Sequence, residues 1–140
     1  MEKLVVKDSV AEMDFERVRD MLAESYWSPG ISRAEVVRGA ENSALVVGAF
    51  LGELQIGYAR VISDKTRFAY ILDVYVAETH RRKGVCRTMM RHILTHRELK
   101  DVYQWLLITK EAHAVYRALG FAPVARQTDW MEIRNVRPER

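Results

Sequence analysis

The sequence predicts an α/β fold: a mixed, mainly antiparallel sheet flanked by helices on both faces. Two observations carry this. Residues 43–76 hold three β-rich runs separated by two short turns, the pattern of a meander of antiparallel strands. The third run is followed by a stretch of helical period, and that by another apolar run at 103–109. Strand, helix, strand implies a right-handed crossover between parallel strands.

Each element has a local reason. Residues 3–6 (KLVV) read as a first strand. Over 11–24, Met13, Val18, Met21 and Leu22 recur with charges between them, which predicts a helix with one buried face. Pro29 and Gly30 in SYWSPG (25–30) break it. Ser32 with Glu35 matches a capping box and opens a short helix over 33–39. SALVVGAF (43–50), a turn at 51–53, LQIGYARVIS (54–63), a turn at 63–67 and FAYILDVYV (68–76) form the meander. The last run is apolar on both faces except for Asp73, which predicts a central strand covered on both sides. Val85, Met89, Ile93, Met90 and Leu94 then repeat at helical spacing, predicting a helix to about residue 97. YQWLLIT (103–109) is a buried strand. EAHAVYRALG (111–120) is a helix with Ala112, Val115, Tyr116 and Leu119 on one side and Gly120 just past its end. Short strands at 121–125 and 129–135 are expected to close the chain.

At 140 residues, one domain spanning 1–140 is expected, with no repeat or low-complexity segment. The net charge of +3 is too small to argue for nucleic acid, though it suits an anionic ligand. One cysteine, Cys86, allows neither an internal disulfide nor a cysteine-based zinc site. The start MEKLVVKDS has no long apolar stretch, and no run of 18 apolar residues follows. A soluble, cytoplasmic protein without membrane or nucleic-acid partners is expected.

The segment HRRKGVCRTMMR (80–91) stacks Arg81, Arg82 and Lys83 before Gly84, where a strand gives way to a helix. A helix N-terminus presents unpaired N–H groups and partial positive charge, a phosphate site in itself. Gly84 lets backbone approach a ligand. A solvated basic turn is the alternative reading. Neither GxGxxG nor GxxxxGK[ST] is present, so dinucleotide and Walker-type sites are not indicated.

DVYVAETHRRKGVCRTMM resembles the acyl-CoA-binding signature of the GNAT superfamily of N-acetyltransferases, with Arg81, Gly84 and Cys86 at the motif positions. Cys86 departs from the Gly or Ala usual there. TKEAHAVYRALGF resembles the second signature, with Ala112, Tyr116, Gly120 and Phe121 in place. The resemblance covers nearly the whole chain and implies a GNAT-like single domain that moves an acetyl group from acetyl-CoA directly to a primary amine of a small molecule. It implies that backbone N–H groups of residues 82–87 hold the pyrophosphate, with Arg81, Arg82, Lys83 and Arg87 offsetting charge. Val85, Thr88, Thr109, Ala112 and His113 are assigned to the cofactor site on the same ground. It further implies that N–H groups of Val74, Tyr75 and Val76 polarise the thioester, freed by a bulge in that strand. A homodimer is expected by analogy with the family.

Tyr116 stands at the family's general-acid position. A tyrosine near ~10 can protonate a thiolate whose acid has a pKa near ~8.5 at small cost. An amine near ~10.4 costs about 4.6 kcal/mol to deprotonate at pH 7, so a base or a desolvated site must help. Asp73 is the candidate base, because a carboxylate in an apolar strand needs explaining. Pairing with an arginine such as Arg60 is the alternative. Glu53 reads as a surface charge. His80 and His113 are titratable groups expected to be exposed or near cofactor. Tyr26 and Trp27 lie where the family builds its acceptor site, and either form an aromatic wall for a cation or cover the core edge. Trp130 reads as pocket lining or packing.

His92 and His96 have the i, i+4 spacing that can hold zinc. With no HExxH motif and no third ligand evident, they read as a polar helix face, and no metal is expected. The rival to an enzyme is a non-catalytic acyl-CoA-binding or sensing module. A nucleic-acid-binding domain using 81–91 ranks last, because it leaves Tyr116 unexplained.

Overall fold

The structure, a computed structural model, describes residues 2–137. The chain, expected as one domain over 1–140, divides into two compact units, Met1–Ile108 and Thr109–Arg140. The first holds β1 (Leu4–Lys7), α1 (Phe15–Ala23), α2 (Arg33–Glu41), β2 (Leu45–Leu51), β3 (Leu54–Ser63), β4 (Phe68–Val76), α3 (Val85–Leu94) and β5 (Gln104–Leu106). Its strands form one sheet in the order β1-β2-β3-β4-β5. The first three pairings are antiparallel and β4–β5 is parallel. This is the mixed, mainly antiparallel sheet expected, with a parallel crossover through α3.

Helices lie on both faces. Ala49 pairs with Gly57 and Gly48 with Tyr58, so Gly48 and Gly57 face opposite sides. A Cβ at Gly57 would meet Met89 of α3 at 3.1 Å. One at Gly48 would meet Gln55, Phe50 and Met13, which leads into α1, at 2.7–2.9 Å. Gln55 is fully buried and its amide is spent on anchoring that entrance. It accepts from Asp14 N–H at 2.9 Å and donates to Gly57 O at 3.0 Å. Its backbone carbonyl accepts from Arg17 Nε at 3.0 Å. Val47, Ile56, Val61, Ile71, Met89 and Ile93 fill the core between these layers. Burying each such side chain contributes about 1.5–3 kcal/mol.

The capping box opens α2 as expected: Ser32 Oγ accepts from Glu35 N–H at 3.2 Å, and Glu35 Oε1 accepts from Ser32 N–H at 3.3 Å. Other boundaries move. The helix expected over 11–24 begins only at Phe15, because Asp14 caps it by accepting from Arg17 N–H. Val10–Glu12 form a separate 3-10 turn. Residues 95–97 are not in α3. Thr95 turns its hydroxyl back onto Arg91 O, and the His96 side chain caps a new 3-10 turn over Arg97–Leu99. The strand expected over 103–109 shrinks to three residues, since β4 bulges away just past their pairing. β4 is central but unequally covered: Ala69 and Ile71 are buried, while Phe68, Tyr70 and Leu72 are half-buried.

The second unit holds α4 (His113–Ala118) and a 3-10 turn at Gln127–Asp129. No strand forms over 121–125 or 129–135, contrary to expectation. Pro123 offers no N–H to a ladder, and among the described residues no partner strand pairs with either segment. Met131 and Ile133 are 95% and 92% exposed, so the alternation in that stretch buries nothing.

Candidate functional site

The site in the first unit is built on an irregularity of β4. Tyr58 pairs with Tyr75 and Arg60 with Leu72, so Asp73 and Val74 together oppose Ala59. That is a β-bulge. Asp73 sits at φ +56°, a left-handed conformation that Asp tolerates better than most residues. Pairing with β5 ends at Tyr70–Leu106, so from Ile71 to Val76 no strand lies beside β4 on that edge among the described residues. The bulge implied by the family resemblance is therefore present, with Val74, Tyr75 and Val76 directly after its left-handed residue.

Asp73 holds three elements together. Its Oδ2 accepts from Arg60 Nε at 2.7 Å, and its Oδ1 from Trp27 Nε1 at 3.0 Å. The Arg60–Asp73 pair is largely shielded, at 17% and 9% side-chain exposure. Arg60 Nη1 also donates to Gly39 O at 3.3 Å and Ser43 Oγ at 3.4 Å, reaching α2 and the residues after it. The pairing weighed from the sequence as the alternative for Asp73 is the one seen. Trp27 in turn meets Tyr26 edge-on, with centroids 5.0 Å apart, and Tyr75 at 6.4 Å. Tyr26, Trp27, Asp73 and Tyr75 thus form one aromatic and acidic cluster. Beneath it, Tyr58 is fully buried, and its hydroxyl has no hydrogen-bond partner among the described residues. Burial pushes its pKa upward. Nothing in the sequence singled Tyr58 out, because a strand tyrosine reads as packing.

The same cluster leads into the basic turn. The Arg81 guanidinium lies over the Tyr75 ring at 5.1 Å, and its Nε donates to Val76 O at 2.8 Å. Arg81 is therefore a clamp between strand end and turn as well as a source of charge. Arg82 and Gly84 adopt positive φ, +63° and +81°, and Gly84 immediately precedes α3. A Cβ at Gly84 would meet nothing within 4 Å, so the glycine is needed for its backbone angle and leaves open space on that side. The first bonds closing the helix come from Thr88, whose N–H and Oγ1–H both donate to Gly84 O, at 3.0 and 2.8 Å. The N–H groups of Arg82, Gly84 and Val85 donate to no backbone carbonyl among the described residues. Val85, Met89, Met90 and Ile93 are buried and fix the helix against the sheet. Arg82, Lys83, Arg87 and Thr88 are exposed, and Cys86 is half-buried.

Tyr116, Thr109, Ala112 and His113 belong to the second unit. Thr109 Oγ1 accepts from Ala112 N–H at 3.1 Å where α4 begins. Tyr116 is buried and packs edge-on against Phe121, with centroids 5.9 Å apart. Phe121 N–H donates to Tyr116 O at 3.1 Å, folding the residues after Gly120 back on the helix. Of the remaining candidates, Glu53 and His113 are exposed, Trp130 is 49% exposed, and half-buried His80 shares a hydrogen bond with Thr79.

Comparison with known proteins gives these features a context. The model of the Acetyltransferase (GNAT) family matches residues 12–121. A crystal structure from Xanthomonas campestris pv. campestris, described as belonging to the GNAT family, is 32% identical; the match covers 97% of this chain and 95% of that one, with a TM-score of 0.90. An acetyltransferase, GNAT family protein, from Streptococcus pneumoniae TIGR4 is 21% identical over 98% and 100% of the two chains, with a TM-score of 0.74. A predicted acetyltransferase from Clostridium acetobutylicum, solved with acetyl-CoA, is 16% identical over 94% and 96%, with a TM-score of 0.71. The last two show likeness of fold. No curated protein matches in sequence.

Proposed function

Because the chain belongs to the GNAT family of acetyltransferases, we propose that it catalyses direct transfer of an acetyl group from acetyl-CoA to a primary amine of a small molecule. The observation that carries the reading is the bulge at Asp73–Val74 followed by a basic turn in which the amides of Arg82, Gly84 and Val85 meet no backbone carbonyl among the described residues. Bound acetyl-CoA supplies an activated thioester carbonyl. The N–H groups of Arg82, Gly84 and Val85, not spent on backbone carbonyls, suit its pyrophosphate, and Arg82, Lys83 and Arg87 add positive field. Backbone N–H groups among Val74, Tyr75 and Val76 act as fixed donors to the carbonyl oxygen as charge grows there. The amine nitrogen forms the new C–N bond, the C–S bond breaks, and the Tyr116 phenol gives its proton to the departing sulfur.

The amine's own proton leaves through water in this reading, and water returns a proton to the Tyr116 phenolate. Asp73 already accepts from Arg60 and Trp27, so its charge is offset and its lone pairs are partly occupied. That arrangement favours a positioning role for Asp73 over proton abstraction. Tyr26, Trp27 and Tyr75 supply faces for a cationic or flat acceptor.

A homodimer belongs to the same reading. It is supported by Met131, Ile133 and Val136, each more than nine-tenths exposed. A molar mass of one chain by light scattering at micromolar concentration would remove it. The cytoplasm is the compartment implied; no helix among the described residues is long and apolar enough to cross a membrane.

The deciding experiment is thiol release from acetyl-CoA against a panel of amines. Turnover with at least one amine is expected. Tyr116→Phe is expected to lower it by about 10²-fold or more while the CoA dissociation constant, by calorimetry, stays within about twofold. Calorimetric CoA binding with no thiol release from any amine would leave the acyl-CoA-binding module instead.

A further inference from the structure

Away from the basic turn, at the other end of α3, the two histidines of the helical i, i+4 pair converge on a residue that the sequence did not connect to them. Asp8 directly follows β1, and its Oδ2 lies 2.9 Å from His92 Nε2 and 3.1 Å from His96 Nε2. The three ligand-type atoms all lie within 4.8 Å of one another. The side chains are 38%, 32% and 16% exposed, so solvent reaches the cluster. The third ligand missing from the sequence reading is thus present, 84 and 88 residues away along the chain.

We propose that Asp8, His92 and His96 form a binding site for a divalent transition-metal ion of the zinc class, tying the end of β1 to the end of α3. Two imidazoles and one carboxylate are a donor set this class favours. Metal–ligand bonds of roughly 2.0–2.2 Å at tetrahedral angles put ligand atoms about 3.4 Å apart. Asp8 Oδ2 therefore needs to retreat from the two nitrogens by a few tenths of an ångström, and the two nitrogens, which lie within 4.8 Å of one another, to settle near that same spacing. Partial exposure leaves the fourth position to water. Seven residues of helix rise, about 10 Å, separate His92 from Val85, which sets the ion apart from the basic turn.

Without metal the cluster is a hydrogen-bonded clamp, and its proton arrangement is fixed by one contact. His96 Nδ1 accepts from Glu98 N–H at 3.2 Å, so its Nε2 carries the proton and donates to Asp8. Metal on Nε2 requires the proton to move to Nδ1 and this cap to open. His92 carries no such constraint: among the described residues its Nδ1 has no partner. Binding is therefore coupled to loosening of the turn at Arg97–Leu99.

The test titrates zinc chloride into the tag-free full chain at pH 7.5, followed by calorimetry and by thermal unfolding. One equivalent at micromolar affinity or tighter is expected, with a rise in Tm. Removing a residue that merely supports a ligand already weakens metal binding by about 10–100-fold, so Asp8→Asn and His92→Gln are each expected to weaken it by at least that. Asn keeps an oxygen that accepts from both imidazoles, which preserves the metal-free clamp; circular dichroism in EDTA checks both folds, and either folded variant decides. Cys86→Ser is expected to bind zinc as the wild type does. Equal zinc affinity in wild type and a folded Asp8→Asn or His92→Gln, or no binding in the wild type, overturns the site.

Discussion

β4 is framed by two aspartates, and they do opposite things. At its start, Asp64 Oδ1 accepts from Thr66, Arg67 and Phe68 N–H at 2.9–3.1 Å. These backbone donors hold its carboxyl far below the usual carboxylate range. The side chain is spent on shaping one local turn. At the other end Asp73 accepts from two side chains, 13 and 46 residues away, and sits in a left-handed bulge. Just after the first aspartate's turn, β4 is paired on both sides, with β3 and, over Phe68–Tyr70, with β5. The second stands where that double pairing has ended. A strand regular at one end and disrupted at the other builds core with the first half and a site with the second.

The contrast is broken most strongly at Asp73. Asp73→Ala leaves Arg60 shielded and unpaired, a change that typically costs about 3–5 kcal/mol. A large fall in Tm and loss of thiol release are expected. Asp73→Gly removes the same carboxylate but accepts the positive φ, so it should be more stable than Asp73→Ala by about 1–2 kcal/mol in denaturant unfolding. Equal stabilities would show that the left-handed backbone costs nothing there. Gly84→Ala comes next. Open space surrounds the position, so only backbone strain acts, again about 1–2 kcal/mol, and calorimetry should show weaker CoA binding with the sheet intact. The smallest effect is expected at Asp64. Its depressed pKa contributes stability above pH ~3.8 that disappears as pH falls through the lowered folded value. Asp64→Asn should lower Tm by a few degrees at pH 7, with the difference from wild type shrinking in acid titrations and CoA affinity unchanged. A loss of CoA affinity would mean the two ends of β4 are coupled.

What could be read from the sequence follows the same division. The Ser32–Glu35 box, the turns at 51–53 and 63–67 and the buried stripe of α3 all rest on partners within a few residues, and all are present. The basic turn before Gly84 was legible for the same reason. The bulge was not legible from residue types, because it is a property of register between β3 and β4; only the family resemblance implied it. Nor was the Gln55 anchor, since a single glutamine in a strand gives no hint of the Asp14 amide it meets. The alternation over 129–135 predicted a strand that needs a neighbour, and period alone cannot supply one. His92 and His96 were visible as a pair, whereas Asp8 joins them only through the fold.

Asp73 receives Arg60 on one oxygen and Trp27 on the other, so substitutions at those two positions are not independent. Losing the arginine leaves a carboxylate whose remaining tryptophan contact matters more, and the order in which changes accumulate decides which intermediates survive. Exchanging Trp27 alone would therefore meet epistasis from Arg60 on β3, and libraries that vary positions 27, 60 and 73 together would sample combinations that stepwise walks cannot reach.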